Sequence, residues 1–219
     1  MQLTDRIHGF IWDSMTSNNC NTYLLDGSTK VLIDPGHIAH FDHVRDGLSN
    51  LGLGLNDIGL LICTHAHPDH IEAVQLFREG PTQIAMHPIG WQMIENFGRM
   101  LDPNMNIGAF RPDIFLEEAP FTIGDIALEA IHTPGHSPGS VSLFFSAQKA
   151  LFVGDLVFKE GIGRTDIPGG DGNQLKQSIR RVARIESELL LPGHGDVIVG
   201  REAIKKNFKE VEDFWFAYV

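Results

Sequence analysis

The pattern His65-x-His67-x-Asp69-His70 places three imidazoles and a carboxylate within six positions of the chain. It directly follows residues 58–63, an apolar run that is typical of a buried strand. Imidazole nitrogens and carboxylate oxygens are ligands that Zn²⁺, Fe and Mn accept in proteins. The pattern therefore predicts a metal-binding site at the end of a strand.

The spacing of these residues indicates how they would share metal ions. Side chains at positions i and i+2 of an extended chain point to the same side, so His65 and His67 can bind one cation together. Pro68 favours a helix start, which puts Asp69 and His70 at the head of a helical pattern. From there they can reach past the first ion toward a second one. We therefore expect two adjacent metals.

Further ligand-type residues lie just past other apolar, strand-like runs of the sequence. They are His136, in a loop rich in Pro and Gly, together with Asp155 and His194. An α/β scaffold gathers a site along one edge of its sheets, where the strands end. We therefore expect these three side chains to join the first four.

In this order the motifs resemble those of the metallo-β-lactamase superfamily of metal-dependent hydrolases. The resemblance covers nearly the whole chain, from residues 21–25 through residues 33–36 to the His194 loop. It implies an α/β fold in which two mixed β-sheets, flanked by helices, form an αββα sandwich. It also implies two divalent metal ions with Asp155 bridging them, the first held by His65, His67 and His136 and the second by Asp69, His70 and His194. Zn is the first expectation for the metal, with Fe or Mn as alternatives.

Strand-like and helical runs also interrupt each other throughout the sequence, which favours mixed sheets with helices outside them. We predict strands near residues 7–12, 20–26, 31–34, 59–63, 83–87, 126–131, 141–146, 150–154 and 188–191. We predict helices near residues 38–49, 68–79, 89–100, 173–184 and 200–216. Because no linker or low-complexity stretch divides them, residues 1–219 are predicted to form a single domain.

The expected mechanism follows from the two metals. Two cations that share a hydroxide lower the pKa of water to near neutrality, so a nucleophile exists without a Ser or Cys. One metal can polarise a carbonyl group, and Asp69 is the candidate catalytic residue that orients the hydroxide and receives its proton. The expected reaction is hydrolysis of an ester-like bond.

Residues 158–171 are similar to the corresponding loop of the glyoxalase II group, the hydroxyacylglutathione hydrolases that act on the thioester S-lactoylglutathione. Arg164 falls where that group carries a basic substrate-binding residue, and a guanidinium suits a substrate carboxylate. A surface arginine in a Gly-rich loop is the alternative. Thr165 and Asp166 stand where longer members place aromatic residues, and a single helix follows His194, whereas those members have an additional helical domain. We predict a thioesterase of this type that acts on a small-molecule thioester or ester, with its thiol carrier left open.

Other functions are consistent with the same residues. A persulfide dioxygenase shares the loop and uses one iron, held at positions matching His65, His136 and Asp155. This chain keeps every residue for two metals, which favours the hydrolase. A lactonase would use the same site. A non-enzymatic, metal-stabilised binding protein would need a closed coordination sphere, whereas seven ligands for two metals leave room for a shared water.

Several nearby residues are assigned supporting or structural roles. Asp34 is predicted to hydrogen-bond a ligand imidazole and fix its tautomer, with a plain Asp-Pro turn as the alternative. His132 is expected to be a supporting or structural residue. His37, His40 and His43 recur at a spacing of three in a predicted amphipathic helix, and we expect them on its solvated face.

Composition limits the partners of the protein. The 219 residues have a formal net charge of −11 and no basic stripe, which argues against nucleic acid and anionic membranes as partners. The N-terminal residues contain no secretion-signal h-region and no apolar run approaches membrane-spanning length, so we expect a cytoplasmic protein. Cys20 and Cys63 are too few for a disulfide framework and are predicted to be free, buried thiols.

Two apolar segments have alternative interpretations. Residues 88–105 are rich in Met and aromatic residues, and they form either a cap over the pocket or part of the core. Residues 214–219 are too apolar for a free tail, so they either dock on their own domain or form a homodimer contact.

Overall fold

The computed structural model describes residues 1–14, 16–101 and 107–219, and within them strands form two six-stranded sheets and a small hairpin. The strands are β1 (Ile7–Phe10), β2 (Thr22–Leu25), β3 (Lys30–Ile33), β4 (Ile58–Cys63), β5 (Gln83–Met86), β6 (Ile114–Phe115), β7 (Ala119–Ile123), β8 (Ile126–His132), β9 (Val141–Phe145), β10 (Ala150–Gly154), β11 (Val157–Phe158), β12 (Gly161–Ile162), β13 (Leu189–Pro192) and β14 (Ile198–Val199). The first sheet has the order β1-β2-β3-β4-β5-β6, the second has the order β14-β13-β10-β9-β8-β7, and β11 pairs with β12.

Both sheets are mixed and helices flank them. In the first sheet β3, β4, β5 and β6 are parallel, and in the second β10 and β13 are parallel while the other pairs are antiparallel. The helices are α1 (Asp42–Asn50), α2 (Pro68–Ile71), α3 (Pro88–Leu101), α4 (Gly172–Val182) and α5 (Arg201–Phe214). The predicted α/β class, a sandwich of two mixed sheets with helices outside, is confirmed.

The main core lies between the two sheets. Tyr23 of β2 packs edge-on against Phe152 of β10, with ring centroids 5.4 Å apart. Alternate residues of β3 serve different layers: Val31 and Ile33 join the cluster between the sheets, whereas Leu32 joins the cluster that includes residues of α1. Strands buried on both faces must be apolar at successive positions, which explains the continuous apolar runs in the sequence.

The prediction of one continuous helix near residues 68–79 is wrong. The structure has the single turn α2 followed by a 3₁₀ segment, Glu72–Phe77. The N–H of Ala73 donates to the carbonyl oxygen of Gly36 at 2.8 Å, and the N–H of Gly36 donates to the carbonyl oxygen of His70 at 3.2 Å. Because these bonds use backbone groups that an α-helix would pair internally, they interrupt the helix and tie its start to the turn after β3.

The solvated position predicted for three histidines is wrong for two of them, His40 and His43, because the Trp12 ring covers them. His37, His40 and His43 are half-buried, and the Trp12 ring lies against two of them. Its centroid is 4.8 Å from the ring of His40 and 4.9 Å from that of His43. The loop that follows β1 therefore packs onto the start of α1 and onto the 3₁₀ segment before it, Ile38–His40.

Among the residues that the structure describes, the sequence patterns missed five strands, β6, β7, β11, β12 and β14. Four of them have only two residues and therefore show no periodicity. The fifth, β7, is an edge strand with mostly exposed residues and a proline, so it lacks the apolar pattern of a buried strand.

Other predictions concern the cysteines and the apolar segments. Cys20 and Cys63 are free and buried, as predicted. Trp215 and Phe216 pack against a cluster that includes residues of β10, β13, α4 and α5, so the C-terminal segment docks on the rest of the chain. A homodimer contact stays a prediction.

No helix in the described part of the chain has the length and apolar character needed to cross a membrane.

The cap predicted for residues 88–105 falls partly outside the described residues, which omit residues 102–106. Within α3, Ile94 is buried in the core and Trp91 packs against the same cluster. This part of the segment therefore contributes to core packing, and the cap stays a prediction.

Candidate metal centre

Seven histidine and aspartate side chains meet where several strands end. His65 and His67 follow β4, while Asp69 and His70 lie in α2. His136 follows β8, Asp155 follows β10 and His194 follows β13. The structure therefore brings together all seven residues that the sequence predicted as metal ligands.

Three histidines form one group of possible ligands. Each of His65, His67 and His136 offers a nitrogen atom, and these atoms lie within 4.8 Å of one another. Nδ1 of His67 is 2.8 Å from Nε2 of His136. One cation would fit among three nitrogens at such distances.

A second group contains Asp69, His70 and His194, again with ligand atoms within 4.8 Å of one another. Nε2 of His194 is 3.3 Å from Nε2 of His70 and 3.3 Å from Oδ2 of Asp69. Asp155 lies between the groups, because its Oδ2 is 3.5 Å from Nε2 of His136 and 3.3 Å from Nε2 of His194.

Nε2 of His65 is buried without a hydrogen-bond partner. Oδ1 of Asp155 is also buried and lies 3.2 Å from Nε2 of His70. A buried polar atom that lacks a partner destabilises a protein by about 1–3 kcal/mol. A divalent cation would supply the missing partner to Nε2 of His65, and the imidazole and carboxylate donors around it suit such an ion. The residues present therefore fit a divalent metal site.

The pKa values of the histidines differ between the two groups. Burial lowers the pKa of His67 to about 4, with a further contribution from neighbouring His136. Burial and the nearby His70 place the pKa of His65 well below its ordinary value. Both imidazoles are therefore neutral at pH 7 and have a lone pair free for a metal.

In the second group, neighbouring carboxylates raise the pKa values of the histidines. Burial opposes protonation of His194, but hydrogen bonds with Asp155 and Asp69 raise its pKa to about 9. Burial likewise opposes protonation of His70, and the charges of Asp155 and Asp34 raise its pKa well above the ordinary value. Metal ions must therefore displace protons from this half of the site.

Asp34 orients residues of the site through hydrogen bonds. Its Oδ1 accepts a hydrogen bond from the backbone N–H of Thr64, and its Oδ2 accepts one from the Thr64 hydroxyl, both at 2.7 Å. Oδ2 also accepts a hydrogen bond from Nδ1 of His70 at 2.9 Å. Because Nδ1 of His70 is held in this way, its Nε2 faces the other candidate ligands.

Arg164 contributes its backbone to the site, whereas its side chain is exposed. The carbonyl oxygen of Arg164 accepts a hydrogen bond from Nδ1 of His136 at 2.8 Å, which directs Nε2 of that histidine toward the other ligands. The guanidinium pairs with Asp166 through bonds of 2.9 Å and 3.1 Å. The role of Arg164 in substrate binding stays a prediction.

The comparison with protein families agrees with this geometry. The family model of the metallo-beta-lactamase superfamily matches residues 15–200. The chain belongs to the metallo-β-lactamase superfamily. Its seven clustered side chains are therefore the metal-site candidates of a superfamily member.

Curated proteins and solved structures are similar to this chain over most of its length. A probable metallo-hydrolase of Methanocaldococcus jannaschii is 36% identical over an alignment of 193 residues, and the match covers 81% of this chain and 88% of that protein. The hydroxyacylglutathione hydrolase GloC of Haemophilus influenzae is 29% identical and covers 84% of this chain and 89% of its own. The crystal structure of TTHA1623 in a di-iron-bound form is 30% identical, with a TM-score of 0.67, and covers 82% of this chain and 89% of that one.

The sequence did not indicate that two asparagines contact the candidate metal site. Nδ2 of Asn18 donates to Oδ2 of Asp69 at 2.7 Å. Nδ2 of Asn21 donates to the carbonyl oxygens of Pro192 and Gly195, which flank His194, at 3.1 Å and 2.9 Å. The only signal in the sequence was the concentration of asparagine just before β2, which does not indicate a partner by itself.

His132, predicted to be supporting or structural, lies outside the seven candidate ligands. Its ring stacks on that of His87, with centroids 4.3 Å apart and planes inclined by 4°. Its Nε2 donates to the carbonyl oxygen of Pro138, in the loop that carries His136, at 2.8 Å. This contact connects β8 to the loop of a candidate ligand.

Proposed function

We propose that the chain is a metal-dependent hydrolase of thioesters, of the glyoxalase II or hydroxyacylglutathione hydrolase type. The observation that carries this proposal is the position of Asp155 between two groups of donors, which suits a pair of adjacent cations. The names of the probable metallo-hydrolase and hydroxyacylglutathione hydrolase relatives support hydrolysis. The similarity of residues 158–171 to the glyoxalase II loop supports a thioester substrate.

The two groups of donors would hold two divalent ions, with Asp155 contacting both. His65, His67 and His136 would bind the first ion, and Asp69, His70 and His194 would bind the second. When bound, such ions supply a water of lowered pKa and a Lewis acid for the carbonyl oxygen of the substrate.

Asp69 is the residue of this chain that we assign to proton transfer. Burial opposes its ionisation, but hydrogen bonding with His194 and the charge of His70 hold the pKa of Asp69 well below its usual range. The carboxylate is therefore charged at pH 7 and can orient an attacking water. It can also accept the proton that this water releases.

Arg164 is the residue that we assign to substrate recognition. Its guanidinium lies at the surface and binds the Asp166 carboxylate through two hydrogen bonds, so its geometry already suits a carboxylate. A carboxylate of the substrate would replace Asp166 as the partner. We expect Arg164→Ala to raise KM for a carboxylate-bearing thioester while metal content stays unchanged, with Arg184→Ala as the control.

The test is elemental analysis of protein purified without added metal, together with S-lactoylglutathione hydrolysis by the same sample. About two ions of Zn, Fe or Mn per chain and turnover of the thioester would support the proposal. One iron per chain, no hydrolysis and oxygen uptake with glutathione persulfide would contradict it and favour a dioxygenase. His194→Ala should lower the metal content, whereas His8→Gln, on the edge strand β1, should not.

A further inference from the structure

Asp69 receives a hydrogen bond from the neutral side chain of Asn18. Nδ2 of Asn18 lies 2.7 Å from Oδ2 of Asp69. A carboxylate can only accept hydrogen bonds, so the amide must present its NH₂ group to Asp69. The same Oδ2 faces Nε2 of His194 at 3.3 Å. Asn18 therefore contacts the carboxylate oxygen that lies within the second group of donors.

Several hydrogen bonds hold the loop that carries Asn18. The indole N–H of Trp12 donates to the carbonyl oxygen of Ser17 at 2.8 Å, and the backbone N–H of Trp12 donates to Oδ1 of Asn21 at 3.0 Å. Oδ1 of Asn19 accepts a hydrogen bond from the backbone N–H of His37 at 2.8 Å. Because its neighbours on both sides are held in place, Asn18 is positioned by the fold.

A neutral donor has a specific advantage beside a cation site. A Lys or Arg at this position would orient the carboxylate but would also place a positive charge next to the metal. The amide of Asn18 holds the oxygen without adding charge. A carboxylate oxygen has two lone pairs, so Oδ2 can keep the bond to Asn18 while it faces a metal ion.

We propose that Asn18 is a positioning residue that holds Asp69 in the orientation needed for the second cation and for proton transfer. This inference rests on the proposed two-metal hydrolase. It assigns to the loop before β2 a role in metal binding. Asn18 acts through Asp69 and is not itself a metal ligand.

The experiment is titration of the metal-free protein with Zn²⁺ in competition with a chromophoric chelator. Removal of a residue that orients a ligand lowers metal affinity by about 10–100-fold. We expect Asn18→Ala to weaken the second equivalent of Zn²⁺ by about tenfold and to change the first by less than about twofold. Asn18→Gln keeps the amide donor and should recover most of the affinity. Asn50→Ala, at the exposed end of α1, is the matched control and should bind as wild type.

A double-mutant cycle separates positioning from a general effect on the fold. In an Asp69→Ala background, Asn18→Ala should change neither the remaining Zn²⁺ affinity nor the melting temperature, because its partner is already absent. An effect of Asn18→Ala that persists in that background, or that weakens both equivalents alike, would overturn the inference. Unchanged binding by Asn18→Ala would also overturn it.

The outcome for wild type distinguishes this inference from the proposed function. Two bound equivalents without thioester hydrolysis would contradict the proposed function alone, and the Asn18 variants could still be compared. Hydrolysis by wild type together with unchanged Zn²⁺ binding by Asn18→Ala would overturn the Asn18 inference alone. Fewer than two equivalents bound to wild type would overturn both.

Discussion

The carboxylate of Asp34 accepts a hydrogen bond from Nδ1 of His70 at 2.9 Å, and the exposed fractions of the two residues are only 2% and 0%. Asp34 also accepts two hydrogen bonds from Thr64, the residue that precedes His65. One buried carboxylate therefore orients the segments that carry candidate ligands of both groups.

We expect Asp34→Asn to lower metal affinity by about 10–100-fold while the protein still folds. Asparagine tolerates the left-handed backbone of this position, where φ is 53°. Its amide, however, has a single acceptor oxygen and cannot accept all three bonds from Thr64 and His70. Chelator competition measures the change, with Asp42→Asn on the exposed start of α1 as the control. An affinity equal to that of wild type would show that the carboxylate is not required.

Metal binding should release protons at pH 7. The pKa of His194 in the metal-free protein is about 9, and that of His70 is also raised, so both imidazoles carry an extra proton at this pH. Because a metal binds the neutral form, higher pH should increase the apparent affinity until about pH 9. Calorimetry of Zn²⁺ binding in two buffers with different ionisation enthalpies counts the protons, and we expect about two per fully loaded chain. Binding heats that do not depend on the buffer would contradict this prediction.

The metal-free protein should be most stable near pH 6.5. Burial and neighbouring histidines lower the pKa of His67 and His87 to about 4, below the ordinary value of 6.5. The unfolded chain therefore binds protons more readily as the pH falls from 6.5 to 4, and stability decreases. The raised pKa of His194 has the opposite sign, because its stabilisation is fully present below pH 6.5 and is lost as the pH rises through about 9.

Urea unfolding in the presence of a chelator, at pH 4.5, 6.5 and 9, measures this dependence. We expect His87→Gln to reduce the decrease in the free energy of unfolding between pH 6.5 and pH 4.5. The decrease between pH 6.5 and pH 9 should be the same as in wild type. A free energy of unfolding that rises steadily from pH 4.5 to pH 9 would contradict the prediction for His194.

The turn between β11 and β12 should respond to substitutions at two positions. Glu160 has a left-handed backbone with φ of 59°, its N–H donates to Oδ1 of Asn207, and its carbonyl oxygen accepts a bond from the Trp215 indole. Asn207 is only 4% exposed and also donates to the carbonyl oxygen of Phe158. Asn207→Ala removes both of its bonds and should destabilise the protein by about 1–3 kcal/mol.

Glycine at position 160 should relieve the strain of the left-handed backbone there. We expect Glu160→Gly to stabilise the protein by about 1 kcal/mol and to offset part of the loss in Asn207→Ala, since glycine adopts the left-handed conformation without strain. Chemical denaturation measures both variants, with Glu210→Gly inside α5 as a control that should be destabilising by about 1 kcal/mol. A destabilised Glu160→Gly variant would contradict this account.

Sequence alone was informative where function depends on residue type at short spacing. Strands buried on both faces require continuous apolar runs, so β4 and β10 were recognisable. Imidazoles and carboxylates just past such runs indicated a site at the ends of the strands. The ordered motifs also indicated the family and its sandwich of mixed sheets.

Only the tertiary structure decided the contacts between residues that are far apart in sequence. The bond from Asn18 to Asp69 spans 51 positions, and the bond from Asn21 to the carbonyl oxygen of Gly195 spans 174. The break in the helix after His70 depends on a backbone bond to Gly36, and the burial of His40 and His43 depends on Trp12. A hydrogen bond or ring contact of this kind requires two segments to meet, and no local pattern records which segments the fold brings together.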